Sequence, residues 1–108
     1  MKALCICQYG HSRSVALSRV LHGRSIEAVA IGWSTAGQDA IDVLSEWAHY
    51  IFMLDMTNGP HKILPRHRIK IVPFDVGPDR WSNPYNQELL EILGKKFNEF
   101  YATLPTED

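Results

Sequence analysis

Four short, largely apolar runs, residues 3–7, 28–31, 50–54 and 69–74, recur along the chain at spacings typical of strands alternating with helices. The first of them, Ala-Leu-Cys-Ile-Cys, has no polar alternation, as expected of a strand covered on both faces in a parallel sheet. Residues 14–22 then place Leu17, Val20 and Leu21 on one helical face, with Gly23 where a helix commonly stops. Thr35 with Gln38 three residues on reads as a capping box. The helix it starts would bury Ala40, Ile41, Leu44 and Ala48, with Trp47 at the edge. Asn58, Gly59, Pro60 and Pro65 leave room for only a short helix in the next crossover, around residues 61–64. A loop rich in Asp, Gly, Pro and Asn, residues 75–85, leads into a last helix with the stripe Leu89, Leu93, Phe97, Phe100 and Leu104. With right-handed crossovers, this order predicts a three-layer, doubly wound α/β fold with a four-stranded parallel sheet. Its ligand site should lie at the carboxyl ends of the strands, where Cys7, Asp55 and the loop after Phe74 all fall.

The 108 residues fit one domain, 1–108, and no internal repeat or low-complexity tract divides them. A domain of this size builds a core without disulfides or a structural metal. The net charge of −1 gives no global argument for nucleic acid or an anionic membrane as partner. Cys5 and Cys7 flank a single Ile and make a poor disulfide pair within a strand, which points to a reducing compartment. The N-terminal apolar stretch is too short for a signal peptide and no run approaches a membrane span, so the expected location is the cytoplasm.

The chemistry concentrates in residues 7–14, Cys-Gln-Tyr-Gly-His-Ser-Arg-Ser, where five residues separate a cysteine from an arginine between a strand and a helix. A loop entering a helix presents unpaired N–H groups and the positive end of the helix dipole, so it holds an anion such as phosphate or sulfate. The same field favours thiolate at Cys7, and the Arg13 fork matches two equatorial oxygens of a phosphoryl group in a way Lys cannot. Gly10 lets the loop adopt positive φ, and the hydroxyl of Ser12 or Ser14 is suited to bonding the sulfur as it leaves. Gln8, Tyr9, Gly10, His11, Ser12 and Ser14 are therefore the candidate substrate-binding residues, with His11 contributing chiefly its backbone. Cysteines in an apolar strand also serve simply as small hydrophobes, and that is the expectation for Cys5, although it lies near enough to be considered as a trap for oxidised Cys7.

Cys7, Arg13 and Ser14 after an N-terminal strand resemble the low-molecular-weight protein tyrosine phosphatases. Pro78-Asp79-Arg80-Trp81 is similar to that family's general-acid loop, and residues 46–55 resemble the stretch running into its third strand. The resemblance implies Cys7 as nucleophile, Arg13 as phosphate clamp and Asp79 as general acid, with phosphotyrosine protein or a small phosphomonoester as substrate. Three features depart from the family. Tyr9 and Gly10 stand where it usually has Gly and Asn, the chain is shorter than typical members, and Arg80 replaces the Pro after the acid. The loop order also resembles dual-specificity phosphatases, but their acid loop precedes the cysteine by tens of residues, whereas only six residues precede Cys7.

Phosphomonoester cleavage needs one carboxylic acid near the thiolate, first to protonate the leaving oxygen and then to activate water. Asp79 and Asp75 compete for that role, while Asp55 reads as structural. Tyr9, Trp33 and Trp81 are loop aromatics suited either to walling a cleft around an aryl group or to covering core, and Trp81 is the strongest candidate for the wall. Lys62, Arg66, Arg68 and Lys70, with His61 and His67, form a basic stretch that could steer phosphorylated substrates or contact nucleic acid, but more often is a solvated face. No His or Cys spacing calls for a metal, and the chemistry needs no cofactor. Three other functions are weighed: a thiol-dependent arsenate reductase, for which no cysteine follows Cys7; a phosphocarrier of the sugar phosphotransferase IIB type, whose loop lacks the clamp arginine; and a noncatalytic phosphate-binding module.

Overall fold

Strand β1, Lys2–Cys7, is apolar throughout after its first residue because it has two cores to serve. Ala3, Cys5 and Cys7 point into one cluster and Leu4 and Ile6 into another, all of them essentially inaccessible. The computed structural model describes residues 1–78 and 80–105. Around β1 run β2 (Glu27–Gly32), β3 (Tyr50–Met53) and β4 (Ile71–Pro73), all parallel, in the order β2-β1-β3-β4. The first cluster takes in α1 (Arg13–His22) through Ala16, Leu17 and Leu21, and α3 (Gln87–Ala102) through Leu89, Leu93 and Phe97. The second takes in Ile41 of α2 (Gln38–Trp47) and Ile63 of the crossover. The result is the three-layer doubly wound α/β arrangement that the apolar pattern predicts.

Register decides where the site falls. Cys7 pairs with Gly32, Ile6 with Met53, and Met53 with Pro73, so the carboxyl ends of all four strands finish close together. Phe52 at the sheet centre meets Phe74, Phe97 and Phe100 edge-on, with centroids 5.2, 5.9 and 5.1 Å away, which fixes α3 against the strand ends. Asn86 caps α3 by accepting from Leu89 N–H at 3.1 Å.

Several expected details differ. Helix α1 starts at Arg13 rather than at residue 14, and Gly23 keeps right-handed geometry (φ −63°) while Ser25 adopts φ 60°. The capping box at Thr35 does not form: its hydroxyl donates to Tyr9 O at 3.1 Å, and α2 begins at Gln38. That shift leaves Ala40 exposed and puts Ser45 on the buried face beside Ile41. The crossover to β4 holds two short 3-10 helices, Gly59–Lys62 and Pro65–Lys70, and Ile69 is 92% exposed because β4 starts only at Ile71. Leu104 lies beyond the end of α3.

The basic stretch is largely spent on this packing. Lys70 Nζ donates to the carbonyls of Ser45 and Glu46 at the end of α2, 2.8 and 3.2 Å away, where the helix dipole favours a cation. Arg68 Nε donates to Ile63 O at 2.9 Å, and His67 Nε2 and Arg66 Nε lie 3.0 and 4.0 Å from Glu46 Oε2.

Candidate active site

The loop between β1 and α1 is shaped by its contact with the end of β2. Gly10 has φ 74°, and a Cβ there would sit 2.5 Å from Gly32 N; a Cβ on Gly32 would sit 2.2 Å from the Tyr9 carbonyl carbon. Only two glycines allow the backbones to touch. The residues after Gly32 then pin the loop's carbonyls. Trp33 N–H donates to Cys7 O (2.9 Å), Ser34 N–H and hydroxyl to Gln8 O (3.0 and 2.7 Å), and the Thr35 hydroxyl to Tyr9 O. In a trans peptide the N–H points opposite to the C=O, so the amides of Gln8, Tyr9 and Gly10 turn the other way. Gly10 N–H accordingly reaches Cys7 Sγ at 3.2 Å.

Cys7 Sγ also lies 3.1 Å from Ser14 Oγ in the first turn of α1, and the sulfur and hydroxyl are both buried. Arg13 is 7% exposed and bends over the strand ends, with Nη1 donating to Leu54 O at 3.3 Å and Gly77 O at 3.1 Å. Its buried Nε has no acceptor among the described residues. Cys5, one pleat back on the same face, is fully buried; burial, then the charge of Cys7, pushes its thiol well above the ordinary value and leaves it a packing group.

In front of Arg13 opens a cleft of about 760 Å³, lined among others by Gln8, Tyr9, Trp33, Asp55 and Asp75. Tyr9 is 53% exposed and its ring stacks on exposed His11 at 6.4 Å. Ser12 is buried. Asp75 Oδ1 accepts from Gly77 N–H at 2.7 Å and shapes the turn, as a capping aspartate does. Asp79 lies outside the described residues. Trp81 is placed elsewhere than the expected wall. It packs on the α1/α3 cluster and donates to Glu88 at 3.2 Å, and Trp33 lines the cleft instead.

Sequence reasoning placed Asp55 at this edge as a structural residue and missed only its partners. Its Oδ2 accepts from the Trp33 indole N–H and its Oδ1 from Thr57 N–H, each at 3.0 Å. Burial pushes this carboxyl up, but hydrogen bonds from the Thr57 backbone, the Trp33 indole and the Thr57 hydroxyl, with the charge of Arg13, outweigh it and hold the group below the usual carboxylate range. The signal was present only as the position of Asp55 directly after an apolar run. Among the described residues no group of three His, Cys, Asp or Glu is placed to hold a metal ion.

No family model matches the sequence, and no curated protein matches it either. Among solved structures the chain resembles the tyrosine phosphatase Wzb from Escherichia coli K30 in complex with phosphate, at 14% identity and a TM-score of 0.63, over 96% of this chain and 98% of that one. Order of strands, position of the helices and extent of the match agree on one architecture: this chain has the low-molecular-weight tyrosine phosphatase fold.

Proposed function

We propose that the chain is a cysteine-dependent phosphomonoester hydrolase of the protein tyrosine phosphatase kind, working through a phosphocysteine. The observation that carries this reading is the convergence of Cys7 Sγ, Ser14 Oγ and a buried, incompletely bonded Arg13 at the start of α1, on a fold shared with a tyrosine phosphatase solved with phosphate.

In the first step Cys7 sulfur attacks phosphorus while the bond to the ester oxygen breaks and Asp79 gives that oxygen its proton. Arg13 and the amides of residues 8–14 spread the charge on the equatorial oxygens. In the second step the Asp79 carboxylate takes a proton from water, oxygen attacks phosphorus, and the sulfur leaves towards the hydroxyl of Ser14 and the N–H of Gly10. No cofactor takes part. Asp75 is the alternative acid, though its carboxylate is already used to shape the turn at Gly77. The substrate would be a phosphotyrosine protein or a small phosphomonoester. The free cysteines fit a cytoplasmic setting, and no helix among the described residues is long and apolar enough to cross a membrane.

Turnover of an aryl phosphate by wild type and Cys7→Ser tests the reading. Sustained release lost in Cys7→Ser supports hydrolysis. Release of at most one equivalent marks a phosphocarrier, and binding without release marks a phosphate-binding module. Arsenate reduction by added thiol, with no ester turnover, marks the reductase.

A further inference from the structure

The two edges of the sheet are finished differently. β4 is three residues long and ends in Pro73, whose nitrogen carries no donor, so it offers little to another strand. β2 has six residues, no proline or lysine, and a single charge, Glu27, at its start. In a parallel ladder successive residues turn their N–H and C=O to opposite sides. Trp33 N–H bonds Cys7 O, so Val29 and Ile31 face β1 while Ala28, Ala30 and Gly32 face outward. The Ala28 carbonyl meets His22 Nε2 at 2.9 Å, and the Gly32 carbonyl accepts from Ala36 N–H at 2.9 Å. At Ala30, between them, neither group has a partner among the described residues.

An apolar shelf borders this edge. Val29 and Ile31 stay half-buried on the α2 side of β2. On α2, Ala40, Val43 and Trp47 follow one another at helical spacing. Ala40 and Val43 are exposed, Val43 by 68%, and Trp47 joins Val29 in lining an open groove of about 440 Å³. Single exposed apolar side chains are ordinary, whereas a row of them beside an unpaired strand marks an interaction surface.

We propose that the occupant of this edge is a second copy of the chain, with β2 pairing antiparallel to its counterpart about a two-fold axis at Ala30 and two four-stranded sheets joining into one. Three features fit that symmetry. The open N–H and C=O of each Ala30 meet those of the other, and Val29 falls opposite the partner's Ile31, a β-branched pair made twice. Because α2 runs against β2, the bulky Trp47 end of one shelf comes to the small Ala40 end of the other. Lys2, whose Nζ lies 5.9 Å from the Trp47 ring centroid, comes towards Asp39 in the first turn of the partner's α2. Such pairing uses one patch on both copies and closes at two. The strand ends of the two copies point in opposite directions, so neither cleft is covered.

Sedimentation equilibrium of the full chain should show a monomer–dimer equilibrium with a dissociation constant of about 1–50 µM. Ala30→Pro removes the central outward donor, and Val43→Lys charges a side chain that is already mostly exposed; each should weaken association about tenfold or more. Lys2→Glu and Asp39→Lys should each weaken it about threefold, and the double variant should regain wild-type association, because the same contact is then made with charges exchanged. Without any variant, exchange of the Ala30 amide with solvent should slow severalfold between about 2 and 200 µM protein as the strands pair. A chain still monomeric at about 200 µM overturns the proposal, even one whose edge takes up an unrelated peptide. So does a dimer indifferent to Ala30→Pro and Val43→Lys, or a double charge variant in which the two losses add.

Discussion

Gly32 touches no substrate in the proposed mechanism, yet replacing it should cripple the site. A Cβ at this position falls 2.2 Å from the Tyr9 carbonyl carbon, 2.6 Å from Gly10 N and 2.6 Å from Tyr9 O, all backbone atoms. Restoring a van der Waals separation of about 3.4 Å requires the two backbones to part by about 1.2 Å. The bonds from Trp33 N–H and Ser34 N–H to the loop, 2.9 and 3.0 Å long, cannot all survive such a shift. Overpacking and lost hydrogen bonds together cost about 2–4 kcal/mol, less than the whole stability of most domains, so the variant should still fold. Displacing a catalytic loop by about 1 Å costs on the order of 100-fold in rate. Gly32→Ala is therefore expected to lower kcat/KM for an aryl phosphate about 100-fold and to weaken inhibition by phosphate, while its thermal transition stays cooperative. Gly37→Ala is the control, since a Cβ there meets nothing within 4 Å. A Gly32→Ala protein with wild-type kcat/KM and phosphate inhibition would refute the claim that this contact shapes the loop.

Iodoacetate should alkylate Cys7 faster than fully buried Cys5, and phosphate should protect; mass spectrometry of the two labelled sites checks it, and equal, phosphate-insensitive labelling contradicts it. Asp79→Asn should slow phosphocysteine formation from an alkyl phosphate by about 100-fold or more but affect a nitrophenyl ester much less, because nitrophenolate departs without a proton. Single-turnover rates on Asp79→Asn and Asp75→Asn decide the acid, and leaving-group dependence in Asp75→Asn alone would transfer the role. Phe52→Ala, which empties the centre of the ring cluster, should destabilise the fold by about 3–5 kcal/mol in urea unfolding; a loss below about 1 kcal/mol would mean the cluster is not what anchors α3.

The apolar periods of the chain carried the architecture because each run answers to a local rule: β1 is apolar on both faces as a central parallel strand must be, and Leu89, Leu93 and Phe97 recur at helical spacing. The errors came where a distant atom competed for a local signal. Thr35 caps no helix: its hydroxyl is turned to Tyr9 O, 26 residues away in sequence, α2 begins only at Gln38, and the register of Ala40 and Ser45 changes with it. The basic stretch, read as more often a solvated face, is solvated only in part, because the α2 carbonyls and Glu46 that Lys70, His67 and Arg66 meet lie about one crossover upstream and carry no mark of the pairing in the sequence.

The same distinction runs through the site. Cys7, Gly10, Arg13 and Ser14 belong to one strand, loop and helix, so their spacing already placed them together. What the spacing could not give is the set of groups that other strand ends bring to it: Gly32 against Tyr9, Asp55 on Trp33, and the Leu54 and Gly77 carbonyls on Arg13. The last pair changes how Arg13 should be regarded. One nitrogen of its guanidinium ties the end of β3 to the loop that precedes Asp79, and its buried Nε has no acceptor among the described residues. In the proposed mechanism arginine is needed twice, since a lysine ammonium could make those two carbonyl bonds or meet a phosphoryl oxygen but has no fork to do both in fixed geometry. The loop after β1 and the loop before the expected acid are thus held by a single side chain, and any change that moves Arg13 moves both.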